Sequence, residues 1–144
     1  MEKYLIVLDL DNTLLHSDKS ISDNSKAILE KCQKLGCKIV VNTARSYIRT
    51  IDFAKQINAD YICSFNGNFV CDKYDNIIYY NHIPENNSRA VIEEISKYTK
   101  HIVNEGLYAS FCIDKEDVNF VDSKFASLNF VKNLQSCKLI LKCK

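Results

Sequence analysis

Three short apolar runs dominate the first half of this chain, and each ends in a cluster of polar residues. Tyr4–Leu8 (YLIVL) runs into Asp9-Leu10-Asp11, Lys38–Val41 (KIVV) into Asn42-Thr43-Ala44-Arg45, and Tyr61–Ser64 (YICS) into Phe65-Asn66-Gly67. The first, rich in β-branched and aromatic residues and without polar alternation, predicts a strand buried on both faces, as in a parallel sheet, and the other two read as further strands. Helical repeats separate them. Ser22 reads as an N-cap with Ile21 before it as a staple. Ile28, Leu29, Cys32 and Leu35 recur at helical spacing, and Gly36 follows as a stop. A second helix is expected over Tyr47–Ile57. The order strand–helix–strand–helix–strand predicts an α/β domain. Ligands of such sheets bind at the carboxyl ends of the strands, which is where the three polar clusters fall.

The pattern changes after Gly67. Phe69–Cys71 and Ile77–Tyr80 flank Lys73-Tyr74-Asp75-Asn76, which reads as a β-hairpin. His82-Ile83-Pro84-Glu85 reads as a hinge. The expected domains are therefore 1–82 and 83–144. In the second, a helix is expected from Asn86–Ser88 to about Ile102, strands near Tyr108–Ile113 and Val118–Val121, a helix over Ser123–Leu134 and a last strand at Lys138–Leu141: an α+β arrangement. The aromatics Tyr79, Tyr80, Phe111 and Phe120 are assigned to the core.

Composition narrows the function classes. The formal net charge of the 144 residues is +1, which gives no electrostatic case for nucleic acid or membrane partners. No apolar stretch approaches the roughly 20 residues of a membrane span. No small-residue cleavage site follows the first apolar run, so a cytoplasmic protein is expected. Three glycines, none clustered, remove the Walker loop and the dinucleotide fingerprint. The seven cysteines form no C-x-x-C and no zinc spacing, and read as reduced, mostly buried small side chains.

Asp9-Leu10-Asp11-Asn12-Thr13, placed after an apolar strand, resembles motif I (D-x-D-x-T) of the haloacid dehalogenase superfamily. Thr43 at the end of the second strand matches motif II. VVNTARS, followed by FNGNFV, is similar to the Cof-type, class IIB branch, with Ala44 standing where that branch has glycine. The resemblance implies a partial Rossmann-like core plus part of an α+β class IIB cap. It also implies a Mg²⁺-dependent phosphatase of small phosphorylated metabolites working through an aspartyl phosphate. By that resemblance Asp9 is the nucleophile and Asp11 the general acid and base. Mg²⁺ is held by the Asp9 carboxylate and the Asp11 backbone carbonyl. Asn12, Thr43, Ala44 and Arg45 bind phosphate or substrate, and Asn66 and Gly67 line the entrance.

The superfamily carries two further motifs, a phosphate-binding lysine and an acidic G-D-x-x-N-D signature. No Gly-Asp dipeptide occurs through Lys144. The chain is therefore expected to be inactive or weak alone, and to need a homodimer or a complementary C-terminal fragment. In the superfamily the first strand has a further strand on its other side; without it YLIVL becomes an apolar edge. A non-catalytic remnant, or half of a split protein acting as a binding module, is the alternative. A phosphoacceptor domain of the response-regulator kind is disfavoured, because the Tyr61–Ser64 strand offers no acceptor aspartate.

Overall fold

The computed structural model describes residues 4–99 and 102–107 and, as strands, 110–112, 126–127 and 138–141. The chain divides into two compact units, Met1–Tyr80 and Asn81–Lys144.

The first unit is a five-stranded mixed sheet in the order β1-β2-β3-β4-β5. Strands β1 (Leu5–Leu8), β2 (Lys38–Asn42) and β3 (Tyr61–Ser64) run parallel; β4 (Phe69–Asp72) and β5 (Ile77–Tyr80) continue as an antiparallel hairpin. Helix α1 (Asp23–Lys34) connects β1 to β2, and a short α2 (Ile51–Gln56) connects β2 to β3. Ile39, Val41, Ile62 and Cys71 are buried with Leu10, Phe65 and Phe69 around the centre of the sheet. Tyr47, Phe69 and Tyr80 pack in sequence, tilted and then edge to face, at ring-centroid distances of 5.0 and 5.9 Å, and fix the hairpin to the loop after β2.

Both ends of α1 follow from the sequence. The Ser22 hydroxyl accepts the Ser25 N–H at 3.0 Å, satisfying one of the helix's orphan donors. Ile21 is buried, but the staple position facing it is Lys26, so no apolar staple forms. At the other end Cys37 N–H donates to Cys32 C=O at 3.0 Å and Gly36 N–H to Gln33 C=O at 2.9 Å. Gly36 sits at φ +92°. This is the Schellman motif, which needs a left-handed residue at that position.

Several expectations are corrected. β1 is an edge strand, with Leu5 and Val7 more than half exposed, so it is not buried on both faces: only β2 neighbours it in the described sheet. The expected single helix over Tyr47–Ile57 is a 3₁₀ turn (Tyr47–Arg49) followed by α2. Between them buried Thr50 turns its hydroxyl back to the Ser46 carbonyl at 2.8 Å, a bond that competes with regular helix. Tyr79 is exposed rather than core. Of the four cysteine side chains described, Cys71 alone is buried; Cys32, Cys37 and Cys63 are half-buried. Burial pushes the Cys71 thiol up to about 11.

The second unit holds α3 (Glu85–Ile95) and a four-stranded sheet ordered β8-β7-β6-β9, formed by β6 (Ile102–Glu105), β7 (Ser110–Cys112), β8 (Ala126–Ser127) and β9 (Lys138–Leu141). α3 stops seven residues before the expected end, because the β-branched pair Ile102-Val103 joins β6, an inner strand paired with β7 and β9. Ala126 and Ser127 lie in β8, parallel to β7, where a helix was expected. The rest of Ser123–Leu134, and Val118–Val121, lie outside the described residues, as do the side chains of Phe111 and Phe120.

Candidate active site

The carboxyl ends of β1, β2 and β3 deliver their polar clusters to one edge of the sheet. After β1 the chain makes one wide turn, Leu10–Leu14, with Leu14 N–H donating to Asp9 C=O at 3.2 Å and Leu15 N–H to Leu10 C=O at 2.9 Å. Bonds of this i→i+5 type recur where a chain must be held open near a site. Leu10 is fully buried and anchors the turn, while the flanking Asp9 stays exposed and Asp11 half-buried. Asn12 takes φ +60°, a conformation asparagine tolerates better than most residues.

The loops after β2 and β3 are tied together. Phe65 N–H donates to Arg45 C=O at 2.9 Å, and Asn66 N–H to Thr43 C=O at 3.2 Å. Phe65, Asn66 and Gly67 all have positive φ. Phe65 is an unfavourable residue there, and its 1% exposure shows what holds it: the buried ring fixes the backbone that presents Asn66. Thr43 is buried, and its Oγ1 accepts the Arg45 N–H at 3.3 Å.

Asp9, Asn42, Thr43, Ala44 and Asn66 line an open cleft of about 440 Å³. Asp11, Asn12, Arg45 and Gly67 are not among its lining residues. Arg45 instead forks onto Asp11, Nε to Oδ2 and Nη2 to Oδ1, both at 2.7 Å. Lys19 Nζ adds a third bond to Oδ1 at 2.9 Å. The Arg45 guanidinium, with Lys19 beside it, holds the Asp11 carboxyl well below the usual carboxylate range. Arg45 also lies over the Phe53 ring, 5.1 Å from its centroid, which fixes the fork from behind. Gly67 serves the turn: φ is +95°, and a Cβ there would meet nothing within 4 Å.

Sequence reasoning missed Asn42, Lys19 and Phe53. Asn42 could have been found, as the polar residue closing KIVV. Lys19 and Phe53 carry no signal, because their partners are set by loop and helix placement.

Among the described residues no three His, Cys, Asp or Glu side chains gather into a metal cage. Asp9 brings the cleft its one carboxylate, and that of Asp11 is occupied by two cations. Such a donor set suits Mg²⁺, which takes one or two carboxylates and completes its octahedron with waters and phosphate oxygens.

A family model for haloacid dehalogenase-like hydrolases matches residues 6–142. The chain belongs to this family. It is 28% identical over 123 residues to the 5-amino-6-(5-phospho-D-ribitylamino)uracil phosphatase YitU of Bacillus subtilis, covering 83% of this chain and 46% of YitU. YcsE of the same organism, which carries the same phosphatase name, is 25% identical over 75 residues, 51% of this chain and 30% of YcsE. Among solved structures, a haloacid dehalogenase-like hydrolase from Bacteroides thetaiotaomicron superposes with a TM-score of 0.76 at 20% identity, over 92% of this chain and 53% of that one. The subclass IIB sugar phosphatase BT4131 gives 0.68 at 21% identity, over 85% and 48%. These likenesses establish the fold, and the chain spans about half the length of the proteins it matches or less. No helix among the described residues is long and apolar enough to cross a membrane.

Proposed function

We propose that this chain carries the nucleophile-bearing part of a Mg²⁺-dependent phosphohydrolase for small phosphorylated metabolites. The observation that carries the reading is Asp9, exposed at the carboxyl end of β1 in a cleft shared with Asn42, Thr43, Ala44 and Asn66. The names of YitU and BT4131 point to small phosphorylated compounds as the substrate class.

In this reading Asp9 attacks phosphorus, the P–O bond to the leaving group breaks, and an aspartyl phosphate forms. Water then cleaves the acyl phosphate and releases inorganic phosphate. Thr43 and Asn66 hold the phosphate oxygens. The Asp9 carboxylate and the Asp11 carbonyl would hold Mg²⁺, which when bound screens the approach of one anion to another. Paired with Arg45 and Lys19, the ionised Asp11 is a weakened base, so release from those cations is what lets it take a proton from water in the second step. To deliver a proton in the first step it must be released by the Arg45 fork.

The second domain, 83–144, is part of a substrate-selecting cap in the same reading. The lysine and second acidic cluster of the family come from a complementary segment docked along the open edge of β1. Without them the chain lacks a buried charged partner worth about 2–5 kcal/mol, which corresponds to roughly 30-fold to several-thousand-fold in rate. The test is hydrolysis of p-nitrophenyl phosphate by residues 1–144, with and without Mg²⁺, beside Asp9→Asn. Turnover that requires both Mg²⁺ and Asp9 is expected, weak in residues 1–144 alone and raised by the complementary segment. Turnover that persists in Asp9→Asn overturns the reading.

A second reading, a non-catalytic binding module, is favoured by the doubly paired Asp11. It predicts no turnover even after co-expression with a segment bearing the lysine and the G-D-x-x-N-D signature. The first reading predicts recovery in the folded complex.

A further inference from the structure

Cys32 and Cys37 occupy the two positions that a Schellman motif brings together. Cys32 lies in the last turn of α1 and Cys37 immediately precedes β2. The Cys37 N–H donates to the Cys32 carbonyl at 3.0 Å, closing the outer bond of the motif. Side chains at these two positions commonly touch, as the apolar contact of the motif. That bond holds the two residues' backbones side by side, as a disulfide needs, since it spans roughly 4.4–6.8 Å between α-carbons. Both thiols are free and half-buried, while Cys71 is buried, so reagents in solution reach this pair where they do not reach Cys71.

We propose that Cys32 and Cys37 form a reversible dithiol–disulfide pair, a redox modification site that clips the end of α1 to the start of β2. The co-reactant is a low-molecular-weight disulfide such as oxidised glutathione. One thiolate attacks it, forming a mixed disulfide and expelling one glutathione thiolate. The second cysteine thiolate attacks the mixed disulfide at the protein sulfur, forming the Cys32–Cys37 bond and expelling the second glutathione. The two cysteines lose two electrons and two protons, and one glutathione disulfide becomes two thiols. The clip closes a six-residue segment whose backbone is already folded back by Gly36 at φ +92°. It lies at the opposite end of β2 from the cleft, and its readout is covalent state and stability, independent of any phosphatase activity.

The experiment treats the purified 144-residue protein with oxidised glutathione, blocks free thiols, digests with trypsin without reduction, and maps the peptides by mass. Trypsin cuts at Lys31, Lys34 and Lys38, so the expected product is a disulfide-linked pair of peptides 32–34 and 35–38 that vanishes on reduction. In Cys32→Ser the expected product is a glutathione adduct retained on Cys37, since the resolving thiol is gone. The oxidised wild type should melt at a higher temperature than the reduced form, reversibly. Free thiols or stable glutathione adducts on both cysteines of the wild type, with no linked pair, would overturn the proposal.

Discussion

Asp60 shows how one buried charge is kept. Its carboxylate is about nine-tenths buried and accepts from Lys38 Nζ at 2.6 Å and from Ile39 N–H at 3.0 Å. Burial pushes its carboxyl up, but the bonds from Lys38 and Ile39 outweigh it and hold the group below its ordinary value. A depressed folded value means stability that is present above the unfolded value of about 3.9 and is lost as the pH falls through the folded one. Asp60→Asn is therefore expected to cost about 1–3 kcal/mol at neutral pH, with the gap to wild type closing below about pH 4. Urea midpoints measured from pH 7 down to pH 3 check this; a gap independent of pH would show that packing, not charge, holds Asp60. Arg45 and Asp11 form a second such pair beside the cleft, forked by two bonds at 2.7 Å. There Asp11 is the more exposed partner, 38% against 14% for Arg45, so water screens the pair from its side and its effect belongs to geometry more than to stability.

The helix and strand boundaries repeat that logic one level up. α1 begins where Ser22 can cap it and ends where Gly36 can turn left-handed. Ser22→Ala removes the acceptor of the Ser25 N–H and is expected to cost about 1 kcal/mol, read as a fall in melting temperature of several degrees; no shift would mean that water satisfies the donor equally well. α1 was legible because caps and stops are written in single residues. The break at Thr50 was not, because the Tyr47–Ile57 stretch has helical spacing throughout and the interruption comes from the Ser46 carbonyl accepting a hydroxyl inside the fold. Nor was the end of α3: Ile95 and Tyr98 continue the helical period, yet Tyr98 is 81% exposed and the pairing of Ile102-Val103 with β7 and β9 decides the strand.

For the whole molecule the open edge of β1 is the feature with the largest consequence. Leu5 and Val7 are exposed beside a row of backbone groups with no strand partner on that side among the described residues. An apolar edge of this kind templates pairing with another strand. At high concentration the chain is expected to self-associate through β1, and Val7→Lys to shift sedimentation toward monomer by about a factor of ten in dissociation constant, ~1.4 kcal/mol. A dimer population unchanged by Val7→Lys would place the contact elsewhere. The sequence by itself determined the three parallel strands, the hairpin, and the gathering of Asp9, Thr43 and Asn66 at one sheet edge. Those follow from apolar runs and from the rule that parallel strands deliver their ends to the same side. It also carried the family resemblance in Asp9–Thr13. Only the tertiary structure decided that Arg45 forks onto Asp11 rather than lining the cleft, and that Lys19 joins it from a loop. Those partnerships join residues 34 and 8 positions from Asp11, and a charged side chain's partner is set by which opposite charge the folded backbone brings within reach, a distance that spacing along the chain does not encode.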